Sequence, residues 1–292
     1  MDSREKVILK TLLYADIFDY PLTKEEIFRF LIAERQLNLS EVSKVLKKPK
    51  LPVEKKGKYF YLKGREPLIE KREKREKSSS VKLHRAREII KKTTFIPSIK
   101  FIGISGALSM RNSDEDDDID FFVITEKNLA WTTRLFLVIF LSFLGVYRNR
   151  QSKTHANKIC LNLILDENHM SLGKTTDDLY TAHEISQLLP IFNKENTYQT
   201  FIKRNLWAKK YLPNSPGVIN VKSYKNSILN KILNNLFKIL QFEKTARFLQ
   251  LKYMKGHITN EITEAGFLKF HPFDYKNVVL KKYKRALSKY KI

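Results

Sequence analysis

Cysteine is nearly absent from the sequence, and a secretion signal is missing. Cys160 is the single cysteine, so no intrachain disulfide can form and nothing requires an oxidising compartment. Residues 1–18 alternate charged and apolar side chains and lack the apolar centre and small-residue cleavage site of a signal peptide. The sequence therefore predicts a cytoplasmic protein.

Long apolar runs are lacking as well. The most apolar stretch, residues 135–146, is 12 residues long and is preceded by Arg134. A membrane-spanning helix needs about 20 consecutive apolar residues. We therefore predict that this stretch forms a buried helix and that the chain has no membrane span.

Acidic residues are scarce relative to basic ones. The 292 residues include 55 Lys and Arg but only 31 Asp and Glu, which leaves a net charge of +24. A hydrophobic fraction of 42% is enough to form a core and excludes disorder throughout the chain. The positive charge favours anionic partners such as nucleic acid, nucleotides or lipid headgroups.

The charge is unevenly distributed along the chain. Residues 47–77 contain 13 basic and 5 acidic side chains, and residues 222–292 contain 16 basic and 4 acidic ones. The middle holds the opposite extreme, because residues 114–120 place six carboxylates in seven positions. This run repels itself unless cations or a catalytic need hold it there. Its end enters an apolar strand, so alternation places Asp118 and Asp120 on one strand face.

Residues 1–65 predict a small N-terminal unit. The pattern indicates three helices and a hairpin, over residues 6–14, 24–31, 40–48 and 53–62. This order resembles a winged helix-turn-helix, which implies phosphate contacts by Lys55, Lys56 and Lys58 in the wing. A packing or protein-interaction module is an equally good interpretation.

The remaining chain divides into three predicted segments. A charged linker helix is expected over 66–97, with Ser78–Ser80 as an interruption, followed by a catalytic domain over 98–176 and a basic helical domain over 177–292. The middle segment shows a βαβ-like pattern, with strands over 98–104, 118–125 and 158–165 and a helix over 129–147. Beyond Asp177 the pattern predicts helices only.

The most informative stretch is FIGISGALSMRNSDEDDDIDFFVIT, residues 101–125. Its apolar strand, its Gly106-Ala107 turn and its later Asp118-Ile119-Asp120-Phe121 segment resemble the nucleotidyltransferase superfamily of DNA polymerase β type. The stretches KICLNLIL (residues 158–165) and LYTAHEI (residues 179–185) also resemble those of uncharacterised bacterial proteins with a nucleotidyltransferase domain, and this similarity extends over most of the chain. The resemblance implies an α/β (α+β) nucleotidyltransferase domain with a small mixed sheet, flanked by winged-helix-like and all-helical domains.

The resemblance assigns roles to several residues, and physical chemistry supports them. Asp118 and Asp120 are expected to hold Mg²⁺ or Mn²⁺, because carboxylate oxygens are the hard ligands that such ions prefer. A glycine turn lets the backbone approach a triphosphate closely. The expected nucleotide-binding residues are Ser105, Gly106, Ala107, Ser109 and Arg111.

The third carboxylate of the superfamily is replaced. The polar residue in the middle of the third predicted strand is Asn162, which can offer an oxygen to a metal but cannot act as a base. The base would then come from Asp166 or Glu184, although Asp166 also suits a turn at the strand end. Glu184 follows His183 on a predicted helix. A basic loop containing Arg148, Arg150 and Lys153 suits a nucleotide tail or solvent.

These patterns predict a magnesium-dependent nucleotidyltransferase that moves a nucleoside monophosphate from a nucleoside triphosphate to an acceptor. The net charge favours nucleic acid as that acceptor, contacted through the basic N- and C-terminal regions, and leaves protein and small molecules open. The alternative is a degenerate member that senses nucleotide or binds DNA as a regulator. Asn162 and Ala107 support the alternative, whereas the intact Asp118 and Asp120 favour the enzyme.

Overall fold

A computed structural model describes residues 2–48, 51–149, 154–174, 176–215, 217–255, 261–270 and 275–292. This described part is a mixed α/β structure. Its helices are α1 (Ser3–Asp16), α2 (Lys24–Arg29), α3 (Leu39–Leu46), α4 (Leu68–Thr93), α5 (Gly106–Ser109), α6 (Ala130–Phe143), α7 (Leu179–Gln187), α8 (Thr197–Arg204), α9 (Ile228–Ile239), α10 (Phe242–Met254) and α11 (Tyr275–Lys289). Its strands are β1 (Leu22–Thr23), β2 (Val53–Lys56), β3 (Tyr59–Leu62), β4 (Ile99–Ile104), β5 (Ile119–Thr125), β6 (Ile159–Asp166), β7 (Leu189–Asn193), β8 (Ile262–Glu264) and β9 (Phe267–Lys269).

A six-stranded mixed sheet forms the centre, with strand order β7-β4-β5-β6-β9-β8. The neighbours β5 and β6 run parallel and are joined through α6, while the other neighbouring pairs are antiparallel. Helices α4, α6 and α10 contribute to the hydrophobic core on one face. Helices α1, α7, α8 and α11 contribute to the core on the other face. The predicted mixed sheet with helices is therefore confirmed.

Strand β5 lies between β4 and β6 in the sheet, and both of its faces are buried. Ile119, Phe121 and Val123 lie in one core, whereas Phe122 and Ile124 lie in the other. A strand covered on both sides has this nearly continuous apolar sequence. The polar exception is Asp120, near the start of the strand.

The N-terminal unit contains the three helices and the hairpin expected from the sequence, and β1 adds a third strand to the hairpin. Helix α2 begins with a capping box in which Thr23 and Glu26 each accept a hydrogen bond from the other's backbone N–H. Buried side chains of this unit, among them Leu9 and Leu12, belong to the same core as Phe122 of the central sheet. The N-terminal unit therefore shares one continuous core with the central sheet and the helices on that face.

The predicted interruption of the linker helix at Ser78–Ser80 is wrong. Helix α4 runs from Leu68 to Thr93 without a break. Ser79 is buried, and its hydroxyl accepts a hydrogen bond from the Ser113 amide over 3.1 Å. A serine that is packed and hydrogen-bonded in this way does not compete with the helical backbone.

The expectation of an all-helical region beyond Asp177 is also wrong. Strand β7 pairs with β4, and β9 pairs with β6, so three strands from this region extend the central sheet. They are only three to five residues long, so hydrogen bonds to neighbouring strands, rather than their own sequence pattern, define them. The sheet thus crosses the predicted boundary at residues 176 and 177, while the boundaries themselves stay predictions.

The apolar stretch at residues 135–146 is helical largely within α6, as predicted, but it is not a buried helix: Leu137 and Leu141 are buried, whereas Ile139 and Phe143 are 58% and 85% exposed. Within the described residues, no helix combines the length and the apolarity that crossing a bilayer requires.

Candidate functional site

Two carboxylates lie side by side at the start of β5. Because Ile119 and Phe121 face the core, strand alternation turns Asp118 and Asp120 to the opposite side. The predicted shared face of the two aspartates is therefore confirmed. Asp118 Oδ2 accepts a hydrogen bond from the Arg148 guanidinium, which lies in the loop before β6.

Asp120 carries a strongly perturbed carboxyl group. Its Oδ1 atom is buried and has no hydrogen-bond donor among the described residues. Burial, followed by the negative charge of Asp118, raises the pKa of Asp120 to about 8. The ionised form of this side chain therefore requires additional positive charge close to Oδ1.

Cys160 completes a group of three potential ligands. Parallel pairing of β5 with β6 sets Cys160 opposite Asp120, and one ligand atom from each of Asp118, Asp120 and Cys160 lies within 4.8 Å of the others. Burial and the nearby negative charge of Asp120 raise the pKa of the Cys160 thiol, so the sulfur stays protonated at neutral pH. The two carboxylates suit a hard ion such as Mg²⁺, whereas the thiol does not.

The turn after β4 fits closely around Asp120. Gly106 has a φ of +63°, and a Cβ on this residue would lie 2.6 Å from Asp120 Oδ2. The Ser105 amide donates to the Asp120 carbonyl over 3.0 Å, which fixes the turn against β5. Both the backbone conformation and the missing space require glycine here.

Part of the acidic run is held in place by contacts within the protein. Arg75 donates to both carboxylate oxygens of Asp114, at 3.0 and 2.5 Å. The Asp117 side chain accepts from the Asp114 amide, and the Lys82 ammonium donates to the Asp117 carbonyl. These contacts make the run an ordered loop, and its last carboxylates, Asp118 and Asp120, are left for the site.

The carboxylate pair opens into a cavity of about 520 Å³. The acidic side chains of its lining include Asp116, Asp118, Asp120 and Glu184. The aromatic side chains come mainly from the N-terminal unit and include Tyr14, Phe18, Tyr20 and Phe30. The volume is within the range of small-molecule sites, about 300–1,000 Å³.

Helix α7 forms a further wall of the cavity. Burial raises the pKa of Glu184 to about 7, and the charge of Lys269 acts weakly in the opposite direction. His183 stacks on Tyr14 with ring centroids 4.0 Å apart, and burial lowers the pKa of this histidine to about 3. Glu184 can therefore exchange a proton near neutral pH, whereas His183 stays neutral.

The predicted site residues are brought together only in part. Gly106, Ala107, Asp118, Asp120 and Glu184 all line the cavity. The other four predicted residues lie outside its lining, which is drawn from the described part of the chain: Ser105, Ser109, Arg111 and Asn162.

Three of those four side chains form hydrogen bonds to neighbouring groups, and the fourth is exposed. Asn162 donates its amide to the Ser105 hydroxyl over 3.2 Å, so these two side chains bind each other. The Ser109 hydroxyl donates to the Gly106 carbonyl over 2.7 Å and closes the turn. Arg111 is exposed and has a φ of +55°.

Asp166 is a turn residue, as the alternative interpretation held. Its carboxylate accepts hydrogen bonds from the amides of Asn128 and Asn168 at 2.9 Å and contacts the His169 ring. Arg148 of the predicted basic loop lies in the cavity lining, whereas Arg150 and Lys153 lie outside the described residues.

Sequence reasoning missed Cys160 and the aromatic part of the cavity lining. Cys160 lies two residues before Asn162, which gave a signal by strand alternation, but the pairing of β5 with β6 skips Asn162 and interrupts that alternation. Tyr14 and Phe30 carried no such signal, because they are distant in sequence from the aspartates and meet them only through packing of the N-terminal unit.

Comparisons of the chain with protein-family models, with curated proteins and with solved structures returned no match.

Proposed function

We propose that the protein is a nucleotidyltransferase that uses Mg²⁺ or Mn²⁺ and a nucleoside triphosphate. The observation that carries this proposal is the pair Asp118 and Asp120 in the lining of a partly open cavity, with Asp120 Oδ1 buried and unpartnered among the described residues. The Cys160 thiol hydrogen-bonds to the Asp120 carboxyl group but brings no positive charge. A buried carboxylate oxygen without a donor, beside a second carboxylate, is costly unless a cation neutralises it. This arrangement fits a divalent ion held by the two aspartates.

A bound divalent ion would supply positive charge that offsets the negative charge of the triphosphate and of the leaving pyrophosphate. Asp118 and Asp120 are the ligands that this chain offers. Cys160 suits that role poorly, because a protonated thiol is a soft ligand and a hard ion prefers carboxylate oxygens. Asn162 does not replace the third carboxylate, because it carries no charge and lies outside the cavity lining.

The triphosphate would lie along the Gly106-Ala107 turn. Gly106 and Ala107 both line the cavity beside the two aspartates. The space that the missing Gly106 side chain leaves is occupied by Asp120 Oδ2. Arg148 lines the same cavity and pairs with Asp118. A cation at Asp118 competes with Arg148 for the carboxylate, so the guanidinium becomes available to hydrogen-bond a phosphate oxygen.

Glu184 is the group best suited to act as the base. In the proposed reaction the acceptor hydroxyl oxygen forms a bond to the α-phosphorus, the bond to pyrophosphate breaks, and the hydroxyl proton moves to Glu184. A pKa of about 7 matches this task, because an effective base titrates near the working pH. Glu184 belongs to the cavity lining together with both aspartates.

The acceptor would lie against the aromatic part of the cavity lining. Tyr14, Phe18 and Phe30 offer apolar and aromatic surface, and such surface binds planar or apolar groups. A partly open cavity of about 520 Å³ admits a small molecule or the terminal unit of a longer chain such as nucleic acid.

The test is transfer of label from each α-labelled nucleoside triphosphate, with Mg²⁺ or Mn²⁺, to RNA, DNA, protein or a small-molecule extract. The double variant Asp118→Asn plus Asp120→Asn should stay folded, because neutral amides relieve the repulsion between the carboxylates. It should lose transfer and lose at least about 100-fold in affinity for the metal–nucleotide complex. Glu115→Gln is the matched control, since Glu115 is an exposed member of the same run and lies outside the cavity lining.

Label transferred by the wild type and by Glu115→Gln, but not by the double variant, would support the enzyme and identify the acceptor class. Metal-dependent nucleotide binding without transfer to any acceptor would instead favour the sensor or regulator, for which the Asn162–Ser105 hydrogen bond is the supporting observation. Unchanged nucleotide affinity in the double variant would refute the site assignment.

A further inference from the structure

Helix α9 turns an apolar side toward solvent, unlike an ordinary surface helix. Six aliphatic side chains on one side of this helix and at its C-terminal end are between 45% and 79% exposed, and we call them the apolar stripe: Ile228, Leu229, Ile232, Leu236, Ile239 and Leu240. Helices normally turn such a stripe toward the core. Contiguous exposed apolar surface of this kind marks an interaction site.

The inward side of α9 is partly polar. Asn234 is buried, and its side-chain amide donates to the Pro97 carbonyl over 3.3 Å. On the same side, Phe237 contacts Phe136 of α6 and Phe242 of α10, with ring centroids 5.6 Å away in both cases. The helix is therefore anchored to the protein through Asn234 and Phe237, and its orientation leaves the apolar stripe outward.

The segment that carries the apolar stripe is basic. Six exposed lysines lie between residues 222 and 255, a range that the structure describes in full: Lys222, Lys225, Lys231, Lys244, Lys252 and Lys255. Glu243 is the one acidic residue in this range, and its carboxylate accepts hydrogen bonds from the Trp131 and Thr132 amides at the start of α6. Lys231 lies near Glu126 and Glu195 of other elements, so the positive charge comes mainly from the other five lysines. A partner that is both apolar and anionic fits this surface.

We propose that the apolar stripe and the surrounding lysines dock the protein on a membrane surface that contains anionic lipids. Acyl chains would cover the aliphatic side chains, and lipid headgroups would pair with the lysines, as in other interfacial helices. A second copy of this chain would bring an equally basic surface and would be repelled. Nucleic acid would satisfy the lysines but would leave the aliphatic side chains uncovered.

The test is co-sedimentation of the full chain with phosphatidylcholine vesicles, with or without phosphatidylglycerol. The wild type should bind the vesicles that contain phosphatidylglycerol and bind more weakly as salt rises. Ile232→Asp should lower this affinity at least about tenfold. The substitution removes an aliphatic group that the acyl chains would cover, and it adds a negative charge at the membrane surface. Val81→Asp is the matched control, because Val81 is 71% exposed on α4 and the substitution changes the charge equally.

A second variant separates the electrostatic contribution. Lys244→Glu plus Lys252→Glu should weaken binding to anionic vesicles and leave the weak binding to neutral vesicles unchanged. Circular dichroism should be the same for all variants, since every substituted side chain is exposed.

Several results would overturn the docking proposal. Equal vesicle binding by Ile232→Asp and the wild type would do so. Self-association in the absence of vesicles that Ile232→Asp abolishes would assign the stripe to a second copy instead. Loss of RNA or DNA binding in the same variant, without any vesicle binding by the wild type, would assign it to nucleic acid.

Discussion

Glu184 is the proposed base of the transfer reaction, and its burial supports that role. Burial raises the pKa of this carboxyl group to about 7, so it exists in both protonation states near neutral pH. If it accepts the acceptor's proton, Glu184→Gln should lower the rate of transfer by about 100-fold or more and leave the affinity for the metal–nucleotide complex unchanged. Steady-state kinetics combined with nucleotide titration measures both quantities.

The pH profile distinguishes a base at Glu184 from a structural role. A base must be ionised, so the wild-type rate should rise with pH through about 7, and this rise should be missing in Glu184→Gln. Gln187 lies on the same helix and also lines the cavity, so the double variant Glu184→Gln plus Gln187→Glu tests whether another carboxylate there restores the rate. An unchanged rate in Glu184→Gln would refute the assignment.

His183 gives the protein a stability that depends on pH. Its folded-state pKa is about 3, against 6.5 when unperturbed, so below pH 6.5 the unfolded chain binds a proton that the folded protein does not. This contribution to stability is complete above pH 6.5 and is lost as the pH falls toward 3. Between about pH 7 and pH 5 the free energy of unfolding should fall by about 2 kcal/mol from this residue.

His183→Phe isolates this contribution, because phenylalanine keeps the stacking on Tyr14 and does not titrate. Urea unfolding of both proteins at the two pH values measures the difference. The buried carboxyls Asp120 and Glu184 act in the opposite direction, since their folded-state pKa values are raised, but both proteins share them. Parallel pH profiles of the two proteins would contradict the prediction.

At the scale of elements, Arg72 joins α4 to the N-terminal unit. It is buried, and its guanidinium makes two hydrogen bonds to the Glu26 carboxylate, at 2.9 and 2.8 Å. Burial alone raises the pKa of Glu26, but these bonds and the charge of Arg72 lower it below its usual range. The Tyr20 hydroxyl lies 2.8 Å from Glu26 Oε1 and 2.7 Å from the Met110 carbonyl, which extends the network toward α5.

Arg72→Met should therefore reduce the free energy of unfolding by about 3–5 kcal/mol, because it leaves Glu26 without its counter-charge. Arg87→Met on the exposed side of the same helix is the control and should change it by less than about 0.5 kcal/mol. Chemical denaturation measures both. A loss below about 1 kcal/mol in Arg72→Met would show that the ion pair contributes little to holding α4 and α2 together.

The elements that sequence reasoning found are those with a strong local signal. The capping box at Thr23 marked the start of α2, and the apolar run after Asp120 marked β5. The aspartate pair was found in the same way, because alternation along one strand fixes its shared face. Strands β7 and β9 were missed because hydrogen bonds to distant strands, not local periodicity, define them.

The candidate site could likewise be predicted only where the sequence signal is local. The cavity joins Tyr14 and Phe30 of the N-terminal unit to Asp118 and Glu184. No pattern in the sequence sets the position of one unit relative to another, since that depends on the packing of complete surfaces. The sequence also left open that Asn162 binds Ser105, because strand alternation fixes a side chain's face but not its hydrogen-bond partner.

At the scale of the whole molecule, a net charge of +24 surrounds a cavity whose carboxylates repel one another. Salt screens both repulsions, because the Debye length falls from about 30 Å at 0.01 M to about 8 Å at 0.15 M. The thermal midpoint should therefore rise with sodium chloride, by about 2–4 °C for each kcal/mol of repulsion removed. At equal ionic strength, magnesium chloride should raise it further in the wild type than in Asp118→Asn plus Asp120→Asn, because only the wild type keeps the proposed ligands. A midpoint that falls with sodium chloride would mean that attractive pairs such as Arg75 and Asp114 outweigh the overall repulsion.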